Sequence, residues 1–200
     1  MKADEAAEMM DKDKEQDLFK RRAAIGIAFL AMLLAITGLG GQNATKEAIN
    51  ENILASNYFN FYQAKNMRQT SLILAAAEIE LAWVKDPTLP ADAKAELQKK
   101  LDDYRKTIAR YESEPETGEG KKELLVRARE HTEKRDHALK QDPYFDYAEA
   151  LLQIAIVLIS VAIVAEQVWL SFIGGGLGLI GALLMLNGYL LLVRIPGLGV

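Results

Sequence analysis

The chain has no cysteine and only two histidines. Without cysteine it cannot form a disulfide, use a thiolate nucleophile or build a cysteine-based zinc site. The two histidines, His131 and His137, are six residues apart, which places them on different faces of a helix. We therefore expect no metal site and no cofactor.

A basic excess is also missing, because 24 Lys and Arg stand against 28 Asp and Glu, for a net charge of -4. A nucleic-acid-binding domain needs a basic patch, so we expect no nucleic-acid partner. Neither a Ser/His/Asp arrangement nor a phosphate-binding loop can be argued from the sequence. These absences predict that the protein is not an enzyme.

Charge is scarce in three long stretches, Ala23 to Gly41, Ala148 to Val164 and Val168 to Val193. Each is long enough, or nearly so, to cross a hydrocarbon core about 30 Å thick. The mean hydropathy of -0.02 averages these stretches with a highly charged middle segment. This segregation predicts an all-α membrane protein with three transmembrane helices and one extramembrane domain. The lipid bilayer is the first expected partner.

The N-terminal residues 1–22 are mixed in charge and lead directly into the first apolar stretch. They are too long and too acidic for a cleaved signal peptide, which favours an uncleaved anchor. Six Lys and Arg lie in this tail and none lies between the second and third spans. By the positive-inside rule, the N-terminus is expected in the cytoplasm and the extramembrane domain on the other side.

The middle segment reads as three helices separated by proline and glycine. A long helix is expected from Thr45 to Lys85, capped by Asn43 or Thr45 after the glycines that close the first span. A helix of about 91–113 carries apolar residues at heptad spacing. They are Leu97, Leu101, Tyr104, Ile108 and Tyr111.

A third helix of about 121–141 follows, and Asp142-Pro143 is expected to restart the chain as a new helix into the second span. The long helix and the two shorter ones have about equal total lengths, roughly 60 Å each at 1.5 Å per residue. This predicts an antiparallel, coiled-coil-like helical hairpin between the first and second spans. A compact three-helix bundle is the alternative if the long helix kinks.

The expected division of the chain follows from these boundaries. It comprises a charged tail at 1–22, transmembrane helix 1 at 23–41, a helical domain at 42–147, transmembrane helix 2 at 148–164, transmembrane helix 3 at 168–193 and a C-terminal tail at 194–200.

The third span carries a row of glycines. Gly176 to Gly181 matches G-x-G-x-x-G, but a dinucleotide site needs a preceding strand, and here the motif lies inside an apolar span. Gly174 and Gly178 form a G-x-x-x-G pair, which lets another helix approach closely. With Gly181 they form a candidate packing or assembly face for the second span, the first span or another subunit.

Polar residues within the spans are few. Gln153 lies in the second span one turn from Glu149, Asn187 lies in the third, and Thr37 in the first. These positions predict a polar layer between the spans. It would serve either an ion pathway or hydrogen bonding between helices, and we favour the second.

The long helix carries a dense polar segment with four candidate contact residues, Gln63, Lys65, Arg68 and Gln69. In the hairpin, Lys65 and Arg68 would face the acidic break at 114–120. Their expected role is to fix the hairpin register by ion pairing. Contact with a subunit or ligand is the alternative. If Arg68 points away from the break, the register explanation fails.

Five segments of the chain form a recognisable pattern: Ala55-Ser56-Asn57, Gln63-Ala64-Lys65, Arg68-Gln69-Thr70, Gly120 to Leu124 and Tyr147 to Ile156. In these segments the chain resembles an uncharacterised bacterial family of integral membrane proteins, domain of unknown function 4337. The resemblance covers nearly the whole chain after residue 20. The resemblance implies bacterial origin and membrane insertion. With the distribution of Lys and Arg, it leads us to expect a protein of the bacterial inner membrane whose helical domain is periplasmic. It implies no reaction, ligand or catalytic residue.

We therefore expect a non-enzymatic membrane protein that acts as an oligomerising scaffold or as an accessory subunit of a membrane complex. Self-association or another membrane subunit supplies the expected protein partner. The alternative is a small transporter or channel component that uses the polar layer between the spans.

Overall fold

The computed structural model describes residues 3–85 and 88–195, with side chains from Lys14 onward. Within these residues the chain is all-helical and contains no strand. The four helices are α1 (Ala3–Lys85), α2 (Ala91–Glu112), α3 (Lys121–Val164) and α4 (Val168–Leu190). Three of them, α1, α3 and α4, are long and apolar enough to cross a membrane by length and composition.

Helix α1 is continuous through Gly38, Gly40 and Gly41, so the expected helix start at Asn43 or Thr45 is wrong. A Cβ atom at Gly40 would lie 2.6 Å from the Phe145 ring and 2.7 Å from the Tyr189 hydroxyl. The glycine therefore admits close packing. Burial of the Phe145 ring, which is 2% exposed, offsets the helix-propensity cost of the glycine, about 1 kcal/mol.

Helix α3 is likewise continuous through Pro143, where the sequence predicted a restart. An internal proline costs about 3 kcal/mol because it removes one backbone hydrogen bond. The next two residues, Tyr144 and Phe145, are buried. Burying two aromatic side chains contributes roughly 1.5–3 kcal/mol each, which offsets the proline.

The helices form two compact units. The apolar unit consists of the described parts of Met1–Ala48 and Asp136–Val200, and the polar unit is Ile49–Arg135. The apolar unit has two core clusters, one around Leu30, Leu152 and Ile159 and one around Phe145 and Met185. The Phe145 and Tyr189 rings meet edge to face at 4.8 Å.

In the polar unit, α2 and the first part of α3 both pack on the second half of α1. Along α2, Arg105 contacts Glu80 and the later Glu112 contacts the earlier Gln69. Along α3, Lys121 contacts Asn66 and the later His131 contacts the earlier Glu51. Both helices therefore run antiparallel to α1. Leu101, from the α2 heptad, is 1% exposed, and the other four heptad residues are partly buried. That these helices form a hairpin outside a membrane stays a prediction.

Candidate functional site

The connection between α2 and α3, Ser113 to Gly120, is held by the first turn of α3. The Ser113 hydroxyl donates to Glu123 Oε1 at 2.6 Å, and the Glu114 backbone N–H donates to Glu123 Oε2 at 3.1 Å. A Cβ atom at Gly120 would collide with Glu114 N and lie 2.6 Å from Ser113 Cα. Only glycine leaves room there for the chain to fold back so closely.

Helix α1 contributes Lys65 to this turn. The Lys65 ammonium lies 3.7 Å from Glu114 and 3.6 Å from Glu119, and its side chain is 11% exposed. It also lies 5.5 Å from the centre of the Tyr111 ring, at the distance of a cation–π contact. Two carboxylates and an aromatic face thus compensate a nearly buried cation, as a buried charge requires.

Gln69, one turn further along α1, uses both ends of its amide. Its Nε2 donates to the Ile108 carbonyl at 3.0 Å and to Glu112 Oε2 at 3.2 Å. Its Oε1 accepts from Lys121 Nζ at 2.6 Å, and Lys121 pairs with Glu112 at 3.2 Å. One amide therefore joins α1 to both α2 and α3.

These contacts change the acidity of two carboxyl groups. The hydrogen bond from Gln69, with that from Lys121, lowers the pKa of Glu112 below its ordinary value. The Ser113 hydroxyl lowers the pKa of Glu123 in the same sense. Both groups therefore hold their negative charge at neutral pH. We call Lys65, Gln69, Glu112, Glu114, Glu119, Lys121 and Glu123 the polar clamp.

The structure divides the four predicted contact residues into two pairs. Lys65 and Gln69 are buried members of the polar clamp. Gln63 and Arg68 are exposed, and among the described residues Arg68 makes no ion pair. Arg68 lies on another side of α1, so the register explanation fails in the form that requires both cations, and of the two only Lys65 pairs with the acidic break.

Sequence reasoning missed Lys121 and Glu123. Two signals were available: the serine that follows α2, and the acidic residue in the first turn of α3 after Gly120. A carboxylate at a helix start accepts hydrogen bonds from neighbouring donors, as Glu123 does from Ser113 and Glu114.

Nearer the start of the polar unit, α1 contacts a histidine of α3. His131 stacks on Tyr58 with ring centres 5.3 Å apart and pairs with Glu51. Across the described residues, no group of three or more His, Asp or Glu side chains is arranged to hold a metal ion.

The glycine face of α4 packs against helices of its own chain. A Cβ atom at Gly174 would lie 2.7 Å from Ile159, one at Gly178 would lie 2.7 Å from Leu30, and one at Gly181 would lie 3.0 Å from Leu152. Of the three partners that the sequence left open, the structure has the helices expected as the second and first spans, α3 and α1, on this face.

The structure does not bring the predicted polar layer together. The Gln153 amide donates to Glu149 at 3.1 Å on the same helix. The Asn187 side chain bonds both backbone groups of Val193, at 2.8 and 2.9 Å. Thr37 is fully buried and donates to the Leu33 carbonyl. In the part of the chain that the structure describes, no hydrogen bond joins these three residues.

The comparisons with known proteins give one match. A family model described as a domain of unknown function, number 4337, matches residues 19–191. None of the curated proteins matches the chain, and no solved structure does.

Proposed function

We propose that the chain, which belongs to the family of domain of unknown function 4337, is an integral membrane protein with a structural role. Its role is that of a self-assembling scaffold or an accessory subunit of a membrane complex, and it carries out no reaction itself. Because the family resemblance implies bacterial origin and membrane insertion, we place the protein in the bacterial inner membrane.

The observation that carries this proposal is that the residues of the polar clamp bind one another within the chain. Lys65, Gln69 and Lys121 satisfy Glu112, Glu114 and Glu119 within the chain. Their bonds tie α1 to α2, to the turn and to α3. Polar groups that bind one another in this way hold the helices in a fixed arrangement. A scaffold needs such a fixed arrangement to bind its partners.

The surface of the apolar unit supports membrane insertion. Large apolar side chains lie exposed along its helices, among them Phe29 at 55%, Phe172 at 76% and Leu179 at 64%. In water such a surface causes aggregation, whereas in lipid it is the expected exterior of a transmembrane helix.

Contacts at the two ends of the apolar unit support three spans. Lys20, just before the first span, lies 3.3 Å from Glu166 in the turn between α3 and α4. Thr45, just after the first span, donates to Asp142 just before the second at 2.8 Å. Three crossings bring these pairs to opposite sides of a bilayer. We place the Lys20 end in the cytoplasm and the polar unit in the periplasm.

The test is isolation of the full chain from its own membranes in a gentle detergent, with the mass of the intact assembly. We expect a defined mass above that of one chain, from further copies or a stoichiometric partner. A double variant, Lys65→Met with Gln69→Leu, should lose that assembly, while the exposed control Arg68→Met should keep it. A wild-type protein that is monomeric and free of partners contradicts the proposal.

A further inference from the structure

The second half of α1 presents an exposed row of residues at coiled-coil spacing. Successive members are four and three residues apart, without interruption, from Ile49 to Val84. We call this row the outer seam. Its members are Ile49, Ile53, Ser56, Asn60, Gln63, Met67, Thr70, Leu74, Ala77, Leu81 and Val84.

Every member of the outer seam is exposed and none is charged. The apolar members are far from burial, with Met67 72% exposed, Leu74 61% and Val84 79%. The opposite side of α1 bears residues such as Lys65 and Leu72, which face the interior of the polar unit. Helix α1 is therefore covered on one side only.

The outward side of α2 shows what a solvated face looks like in the same unit. Its exposed positions are mostly charged and include Lys99, Lys100, Asp102, Asp103 and Lys106. A surface helix normally carries such charges toward water. The outer seam lacks them over its whole length, which is typical of a face that another helix covers.

The pattern of the outer seam fits a second copy of itself. Seven members of the outer seam are apolar, and the other four, Ser56, Asn60, Gln63 and Thr70, are polar but uncharged. Apolar residues at the core positions of a heptad repeat drive coiled-coil pairing, and an asparagine at the first core position, as at Asn60, specifies register at a cost in stability. In a parallel pair, Glu80 of one copy and Lys85 of the other lie next to each other at the edge of the core. Their opposite charges attract.

Membrane insertion would set the direction of pairing. Two copies with the same topology send α1 out of the bilayer in the same sense, so their seams run parallel. The row spans 36 residues, or about 54 Å. A strip about 10 Å wide on each copy buries roughly 1,000 Å² in all, about the least that a specific interface needs.

We propose that the outer seam pairs with that of a second copy as a parallel, in-register, two-stranded coiled coil. This proposal rests on the proposed function, since it names the surface and the partner through which the scaffold assembles.

The absence of cysteine allows a direct test in membranes containing the full chain. Four single variants place a cysteine along one row of the outer seam: Ser56→Cys, Gln63→Cys, Thr70→Cys and Ala77→Cys. A disulfide needs Cα atoms about 4.4–6.8 Å apart, which equivalent core positions of a parallel pair provide. Under mild oxidation all four should form covalent dimers, at least tenfold more than the exposed off-seam control Arg68→Cys.

The other outcomes overturn the inference in distinguishable ways. Cross-linking at one position alone indicates antiparallel pairing, and cross-linking at none, with an assembly mass of several copies, indicates another interface. A single copy bound to a different protein also overturns the inference, but leaves the role of accessory subunit standing. A single chain without any partner overturns both proposals. Because the four positions are exposed, wild-type helicity by circular dichroism is expected for each variant.

Discussion

At the scale of single residues, the four polar side chains that the sequence predicted as contacts on α1 differ in burial. Lys65 and Gln69 are buried among partners, whereas Arg68 and Gln63, only a few positions away, face outward. A buried polar group that loses its partners costs about 1–3 kcal/mol, and an exposed one costs little. Substitutions of the buried Lys65 and Gln69 therefore test the polar clamp, and substitutions of exposed residues serve as their controls.

Replacing Lys65 with methionine should destabilise the polar unit by about 1–3 kcal/mol, because Glu114 and Glu119 lose the nearly buried ammonium group between them. Among the described residues, Glu114 keeps only the exposed Arg110 as a cation partner, at 3.9 Å. Hydrogen exchange of the backbone amides from Arg105 to Lys121, in the full chain in detergent, measures the change. Arg68→Met should alter exchange by no more than about 0.5 kcal/mol. Equal effects of both variants would contradict the clamp.

Gln69 should confer a pH dependence on stability. Because its hydrogen bond lowers the pKa of Glu112, the resulting stabilisation is present above the ordinary glutamate pKa of about 4.3. It is lost as the pH falls through the lower folded value. Gln69→Leu should therefore lower the melting temperature more at about pH 7 than at about pH 3.

Arg68→Leu is the control for this experiment, since Arg68 is exposed, lies off the outer seam and makes no ion pair among the described residues. Its difference from wild type should be small and the same at both pH values. A deficit in Gln69→Leu that does not shrink in acid would show that the amide acts only through packing.

At the scale of elements, α4 is held by small residues on one side only. A Cβ atom at Gly174 would lie 2.9 Å from the Ala155 carbonyl oxygen, whereas one at Gly175 would meet nothing within 4 Å. The two adjacent glycines thus differ in packing while sharing the same helix.

Gly174→Ala should lower the melting temperature of the full chain in detergent, because α4 must move away from the α3 backbone. Gly175→Ala should leave it unchanged or raise it, since alanine favours a helix by up to about 1 kcal/mol over glycine. Thermal unfolding followed by circular dichroism compares the two. Equal destabilisation by both would mean that close approach of α3 does not hold α4 in place.

Local chemistry accounts for some helix ends and not for others. Helix α2 ends at Glu112, just before a segment with one proline and two glycines, and its heptad row faces α1. The glycines near Gly40 and the proline at 143 also predicted helix ends, but both positions are helical. Phe145 packs beside both positions, and no local propensity reports such a distant contact.

The polar clamp, too, could be predicted only in part from the sequence. A dense polar segment on α1 indicated a contact region, and Lys65 and Gln69 lie in one. The pattern could not separate them from Gln63 and Arg68, because polar residues occupy several faces of that helix. The separation depends on where α2 and α3 pack, which is a tertiary property.

At the scale of the whole molecule, two surfaces are left for partners. The exposed apolar side chains of the apolar unit suit lipid, and the uncharged outer seam suits another helix. We propose that the chain works as an assembly, joined through the outer seam and anchored through its spans. Charge placed in the seam should separate the copies without unfolding them, because its residues are exposed.

The most direct test of this account is the mass of the full chain released from membranes in a gentle detergent. One chain has a mass of 22.2 kDa. We predict twice that mass for wild type and a single chain for the double variant Met67→Glu with Leu74→Glu, with helicity retained in both. A wild-type protein at the mass of one chain, or a variant that remains paired, would contradict assembly through the outer seam.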